Sequence, residues 1–294
     1  MNINFLKISR FKEWLKILRH SFLVLFYAIK LRCPFKIIKY QLINLLTSGL
    51  IYPLVRPVLG YKKTHNVCDS LEMIFCSPEI LSLPSPLKSK ILILKQKSDY
   101  MMYLEIYLDD IYHMKTLRRG MNIVDVGSHI GTYTILAAEK VDKKGKVISI
   151  EPEPKNYKQL LQSIKLNNYQ NVIPVNTALS DHEGFEKLYL SPFSWGHSLL
   201  FKENATSSIE VPTKTLDNLL EELNFKRIDI IKIDAEGAEM PILKGAKTTL
   251  KANPNMKIII ASYHYPSEAK EVCQFLNERN FKTEAFPGGI IMTA

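Results

Sequence analysis

The chain has 294 residues, 46% of them hydrophobic, and a formal net charge of +10; that apolar content can bury a full core and excludes a collagen-like or wholly disordered chain. Its four cysteines, Cys33, Cys68, Cys76 and Cys273, form no C-x-x-C pair and no Cys/His metal spacing, so no structural zinc is expected and a reducing compartment is favoured. Before Thr64, 12 Lys/Arg face a single acid, Glu13, whereas from Thr64 onward 27 Lys/Arg face 28 Asp/Glu; the excess charge belongs to the N-terminal segment, and no nucleic-acid partner is expected for the remainder.

The first predicted element lies in that basic segment. Phe11, Trp14, Leu15, Leu18, Phe22, Leu25 and Ile29 recur at helical spacing, with Lys7, Arg10, Lys12, Lys16 and Arg19 largely on other faces. A basic amphipathic helix with aromatic residues suits an anionic membrane surface, and residues 5–31 are expected to lie there. Packing as a helical cap on the core, or contact with RNA, are the competing readings. The longest uninterrupted apolar run, Phe22 to Ile29, is much shorter than the ~20 residues a spanning helix needs. Leu42 to Leu59 is apolar but broken by Pro53, Arg56 and Pro57, as a bent surface element would be. Basic residues flank the apolar run and no small-residue cleavage site follows, which disfavours a secretory signal. The expected location is cytoplasmic and peripheral at the inner membrane face. The division expected is an extension over 1–63 and one α/β domain over 64–294.

Met101, Met102, Tyr103, Ile106 and Tyr107 read as the core stripe of a helix before the first strand. That strand contains Val124 and Val126 and enters a small-residue loop, Gly127-Ser128-His129-Ile130-Gly131, whose next residues can start a helix. Gly127 and Gly131 allow a sharp turn and close approach of a ligand. Val147 to Ile150 is the second strand, closed by Glu151 about 20 residues after Gly131, where a carboxylate typically accepts both hydrogen bonds of a ribose diol. Asn171 to Asn176 gives a third strand, running into Ala178-Leu179-Ser180 and the turn Asp181 to Gly184. A fourth, Ile228 to Ile233, leads into Asp234-Ala235-Glu236-Gly237, followed by one helix through Ile242, Leu243, Ala246 and Leu250. Lys257 to Ala261 is the fifth and ends at Ser262-Tyr263-His264. A helix from about Ser267 to Arg279 and an antiparallel hairpin, Phe281 to Phe286 with Ile290 to Thr293 across Pro287-Gly288-Gly289, complete the pattern.

The loop also narrows the ligand. A dinucleotide site would carry G-x-G-x-x-G over a pyrophosphate. Here His129 stands where a second glycine would admit a phosphate oxygen, and no Arg or Lys follows in the turn. S-adenosylmethionine, with ribose, adenine, an amino-acid tail and a sulfonium but no phosphate, fits better, and Asp125 suits the ammonium of its tail directly or through water.

These motifs together resemble the FkbM-type family of S-adenosylmethionine-dependent methyltransferases: V-D-V-G-S-H-I-G-T-Y-T from Val124, E-P-E-P from Glu151, A-L-S-D from Ala178 and I-K-I-D-A-E-G-A-E from Ile231, then Ile242-Leu243-Lys244-Gly245-Ala246. The match runs from about Tyr100 to the C-terminus. The resemblance implies a doubly wound, Rossmann-like sheet of seven strands with the last antiparallel. It also implies cofactor contacts at Ser128 and Ala178 beside Asp125, Gly127, Gly131 and Glu151, and O-methylation of polyketide, sugar or other hydroxyls. His129 replaces the small amide residue usual in the loop, and Ser262-Tyr263-His264 stands where the family more often has an acid before the His.

Methyl transfer to an alcohol needs an acceptor held in line and its proton removed. Asp234, at the end of a central strand, is the first candidate for that role and His264, ending the next strand, the second. His197 lies in a Gly/Ser-rich insertion, Ser194 to Ser198, able to close over an acceptor. A divalent ion held by Asp234 and Glu236 is an open alternative, but two carboxylates two positions apart without a third evident ligand are weak evidence, and no metal site is assigned from the sequence. The function read is O-methylation of a small-molecule, glycan or lipid-linked hydroxyl. The alternatives are an NAD-dependent oxidoreductase and a non-catalytic binding protein on the same fold; a base-nitrogen methylase would be expected to carry Asn/Asp-Pro-Pro-aromatic where this chain has Asp234-Ala235-Glu236-Gly237.

Overall fold

The computed structural model describes residues 79–82, 88–93, 102, 105–107 and 110–293, apart from Pro192, Phe193, Trp195, Glu203, Asn204, Pro287 and Gly288. The expected membrane helix over 5–31 and the division at residues 63 and 64 lie outside them. Two compact units are present: strand β1 (Glu79–Ser82) belongs to the first, and the second comprises residues 89–92, the start of strand β2 (Lys90–Ile93), and 102–294.

The second unit is built on a seven-stranded sheet. Strands β3 (Asn122–Val126), β4 (Lys146–Ile150) and β5 (Val172–Val175) step outward in one direction, and β9 (Ile230–Ile233) and β10 (Lys257–Ala261) in the other. All five are parallel, with Val124 level with Ile148 and Ile231. Beyond β10 come β12 (Ile290–Thr293), antiparallel to it, and then β11 (Thr283–Phe286), so the order is β5-β4-β3-β9-β10-β12-β11. A parallel sheet buried on both faces needs continuous apolar runs rather than alternation. Ile123, Val124, Val147, Ile148, Ile231, Ile233, Ile258, Ile259 and Ile260 are accordingly all buried. The order reverses between β3 and β9, and ligands of such sheets bind outside the strand ends at that switch point.

Helices α1 (Thr132–Val141), α2 (Pro154–Asn167), α3 (Leu216–Glu222) and α6 (Glu268–Asn277) link the strands. Glu153 caps α2 by accepting the Asn156 N–H at 2.7 Å, with Pro154 in the first turn, where its missing donor costs nothing. Leu216, Leu219, Ile242, Leu250, Val272 and Leu276 pack on the apolar side chains of the sheet in one core.

Two expectations are corrected. The single helix expected after Gly237 is two short ones, α4 (Glu239–Lys244) and α5 (Lys247–Ala252). The break falls at Gly245, where a Cβ would stand 2.2 Å from the Ser180 carbonyl oxygen, and the Asp217 carboxylate caps the start of α5 by accepting the Thr248 and Thr249 N–H groups at 2.9 and 2.8 Å. The stretch from Gly184 to Lys214, read only as a turn and an insertion, forms a hairpin, β7 (Gly184–Leu190) with β8 (Ser207–Lys214); β6 (Ala178–Leu179) joins β8 to complete a three-stranded sheet.

Candidate active site

The loop after β3 is folded tightly enough to require its glycines. Gly127 has φ +70°, and a Cβ there would lie 1.8 Å from the backbone oxygen of Asp234. Gly131 has φ +90°, and its Cβ would meet Leu160 of α2 at 2.6 Å. At Gly127 a left-handed backbone and contact with main-chain atoms leave room for glycine only; at Gly131 the left-handed backbone is what favours glycine, since the Leu160 side chain can shift. His129 also takes a left-handed φ, +53°. Its N–H donates to Glu151 Oε2 at 2.7 Å and its Nε2 lies 2.9 Å from Ser194 Oγ. Burial, then the nearby His197 and Lys232, push the His129 ring down to about 3, so it stays neutral. Ser128 Oγ in the loop and Thr132 Oγ1 at the start of α1 are buried and unpartnered.

Glu151 accepts from His129 on one oxygen and from the Glu153 N–H, at 3.0 Å, on the other. A carboxylate has about four acceptor sites, and the Asn156 side chain is a third donor beside it. Burial raises its pKa to about 7 against the lowering effect of those two backbone bonds. Asn176 Nδ2 fastens the Glu151 carbonyl at 2.8 Å. Ala178, on β6, packs with Leu188 and Val211 in a small apolar cluster.

Asp125 is wholly enclosed. Its Oδ2 accepts the Thr134 hydroxyl at 2.6 Å, and its Oδ1 lies 3.2 Å from Lys232 Nζ. The ammonium expected at Asp125 is thus supplied by the protein's own β9. Lys232 Nζ also donates to the Gly127 carbonyl at 2.8 Å and the Val126 carbonyl at 3.3 Å, and stands 5.2 Å over the Tyr112 ring. Lys232 therefore fixes the backbone of the loop.

Beyond Gly127 the ends of β9 and β10 bring Asp234, Glu236 and His264 together. Tyr112 donates its hydroxyl to Asp234 Oδ2 at 2.5 Å. His264 Nε2 lies 3.7 Å from Asp234 Oδ1 and 3.8 Å from Glu236 Oε1. Its Nδ1 is 3.2 Å from Glu268 Oε2 and 3.6 Å from Glu239 Oε2. Burial lowers the His264 pKa, but the bonds to Glu239 and Glu268 and the charge of Glu236 outweigh it and push it up to about 11. The ring therefore sits among four carboxyl groups, which favour its protonated form as long as no other cation stands beside them. Burial, then the charge of Asp234, raises Glu236. His197 accepts the Ser191 N–H on Nδ1 at 3.1 Å, a bond within its own loop, and burial lowers its pKa.

Lys232, Tyr112, Glu239 and Glu268 are the site residues that sequence reasoning missed. Lys232 had a signal: a charge inside the apolar strand Ile230-Ile231-Lys232-Ile233 must find a partner. Glu268 stands four residues after His264. Tyr112 precedes the first sheet strand at no recognisable spacing.

The sequence profile described as "Methyltransferase FkbM domain" matches residues 125–283, more than half of the chain. Hexuronic acid methyltransferase AglP of Haloferax volcanii is 28% identical over 191 residues, 60% of this chain and 76% of its own length. Methyltransferase 1 of Beauveria bassiana is 26% identical over 164 residues, 49% of this chain and 66% of its own. The crystal structure of Methyltransferase FkbM from Methylobacillus flagellatus KT superposes with a TM-score of 0.48 at 14% identity, covering 85% of this chain and 60% of that one. With the glycine loop at the switch point and the acid-rich strand end beside it inside the matched span, this chain belongs to the FkbM methyltransferase family.

Proposed function

We propose that the chain is an S-adenosylmethionine-dependent O-methyltransferase acting on a hydroxyl of a glycan, lipid-linked or secondary-metabolite acceptor. The observation that carries this is the backbone contact of Gly127 with Asp234: the loop built for a nucleoside and the cluster of ionisable groups share one wall. The loop fits the cofactor in its chemistry. Glycine cradles, two hydroxyls without a partner and the Glu151 carboxylate are the groups that suit a ligand rich in hydroxyl and amino groups. When bound, S-adenosylmethionine supplies a methyl group whose bond to sulfur breaks, leaving the electron pair on sulfur, as the acceptor oxygen takes the carbon. Glu151 holds the ribose. Asp234, fixed by Tyr112, positions the acceptor hydroxyl and draws off its proton. His264, when protonated, orients Asp234 and Glu236 by charge. A panel of glycan and lipid-linked alcohols incubated with methyl-labelled cofactor tests the assignment; label transferred to none of them, or to nitrogen alone, contradicts it.

The ribose role makes cofactor binding depend on pH. Ionised Glu151 accepts hydrogen bonds from the ribose hydroxyls, and its pKa of about 7 sets the window. Affinity is expected to be full above pH 8 and to fall as pH drops below 7, approaching tenfold per unit, with Glu151→Gln flattening the profile. Titrations of S-adenosylhomocysteine between pH 5.5 and 8.5 measure it; a flat wild-type profile contradicts the role.

We further propose that residues 5–31 hold the enzyme at an anionic membrane face in the cytoplasm, where a lipid-linked acceptor would lie. The support is the sequence: charge and helical apolar spacing coincide there. Among the described residues no helix is long and apolar enough to cross a membrane. Each basic residue near an anionic surface contributes on the order of 1 kcal/mol and is screened within a Debye length. Full-length protein should sediment with phosphatidylserine vesicles at low salt and be released as salt rises; protein that stays in solution at low salt counts against it.

A further inference from the structure

We infer that Asp234, Glu236 and His264 form a binding site for one divalent cation of the Mn²⁺ class, a site that also receives two adjacent oxygens of the acceptor. The inference rests on the reading of this cluster as the acceptor side of the transferase. Its basis is a mismatch of distance. Asp234 Oδ1 and His264 Nε2 are both buried and have no hydrogen-bond partner, although they face each other at 3.7 Å. Glu236 Oε1 stands 3.8 Å from the same nitrogen. These separations exceed a hydrogen bond. They suit three atoms sharing an ion, because bonds of about 2.1 Å place ligand atoms roughly 3 to 4.2 Å apart. The three atoms all lie within 4.8 Å of one another.

The imidazole is set up for ligation. Its side chain is only 4% exposed and its Nδ1 is engaged by Glu268 Oε2 at 3.2 Å, with Glu239 Oε2 behind it at 3.6 Å. A carboxylate on one ring nitrogen fixes the tautomer and turns the other nitrogen's lone pair toward a metal. Glu268 and Glu239 are themselves held, since Glu268 Oε2 accepts the His264 N–H at 2.8 Å and Glu239 Oε1 accepts the Ala235 N–H at 2.7 Å. They therefore brace the histidine, and the outer trio of Asp234, Glu236 and His264 faces the ion. Glu236 adopts φ +52°, and Ser198 Oγ donates to its carbonyl at 2.7 Å, which pins that turn. The ion takes the place of the His264 proton, which is released on binding; two carboxylates and the imidazole so freed balance a divalent charge and match Mn²⁺ or a neighbouring first-row ion. Three protein ligands leave three octahedral positions. An acceptor with vicinal hydroxyls, or a hydroxyl beside a carboxylate, fills two of them, which favours sugars over isolated alcohols.

Full-length protein freed of metal with a chelator and titrated with MnCl₂, with free Mn²⁺ read by electron paramagnetic resonance, tests the site without cofactor or acceptor. One saturable site is expected. Glu236→Gln should weaken it tenfold or more, and Glu268→Gln, a positioning change, by about 10- to 100-fold. Glu236 is partly exposed, so its variant keeps the test valid should the buried Glu268→Gln fail to fold; retained binding of S-adenosylhomocysteine certifies the fold of either. Absence of saturable Mn²⁺ binding, or binding undiminished in Glu236→Gln, overturns the inference. Mn²⁺ binding by a protein that fails to bind S-adenosylhomocysteine would overturn the transferase reading instead.

Discussion

Asp234→Asn is expected to lower turnover by about 10²- to 10⁴-fold while changing cofactor affinity only a few-fold, the signature of losing a proton acceptor at the reacting oxygen. The substitution is close to isosteric. An amide oxygen can still take the Tyr112 hydroxyl that now donates to Oδ2 at 2.5 Å, so packing should survive. What disappears is the negative charge facing His264 and the acceptor. The cofactor loop touches Asp234 through its backbone oxygen, which the change leaves in place. Turnover and Kd are separable by single-turnover assay with methyl-labelled cofactor and by calorimetry. Turnover within tenfold of wild type would remove Asp234 from the chemistry.

Lys232→Ala is expected to destabilise the protein by about 3–5 kcal/mol, the usual cost of leaving one member of a buried ion pair alone. Asp125 and Lys232 are enclosed to 0% and 3% exposure at 3.2 Å, and the ammonium also satisfies two carbonyls of the loop. Once it is removed, a carboxylate is left inside the sheet with only Thr134 as donor. Combining Lys232→Met with Asp125→Asn removes both charges and should recover much of the loss, because the pair itself roughly breaks even against apolar packing. Urea unfolding followed by circular dichroism measures both variants against wild type. A loss below 1 kcal/mol in Lys232→Ala would show that water reaches the pair.

Much of the sheet is readable from sequence for a physical reason. Strands β3, β4, β9 and β10 are covered on both faces and appear as Val/Ile-rich runs, interrupted by Asp125, Ser149 and Lys232, and β10 has the limits expected of it, Lys257–Ala261. Gly127 and Glu151 stand out by spacing, one in the turn after a strand and the other at the end of the next, the pattern expected of a nucleoside site. The β7–β8 hairpin is hard to read because both strands are largely open to water at their starts, Pro212 interrupts the second, and sixteen residues (191–206) separate them. The break at Gly245 depends on the Ser180 carbonyl, 65 positions away in the chain, which no local pattern reveals. His264 was legible as a strand-end residue, but its counter-ions Glu239 and Glu268 read as ordinary acids in the first turns of helices. Asp125 was recognised as important, yet its partner is a lysine of a strand 107 residues later.

Calorimetric titration of full-length protein with S-adenosylhomocysteine and, separately, NAD tests the central claim most directly. The account predicts one site for S-adenosylhomocysteine, no comparable affinity for NAD, and a loss of roughly 1–3 kcal/mol in Glu151→Ala, the scale of depriving ribose hydroxyls of a charged acceptor. Tighter binding of NAD, or an affinity for S-adenosylhomocysteine untouched by Glu151→Ala, would contradict it.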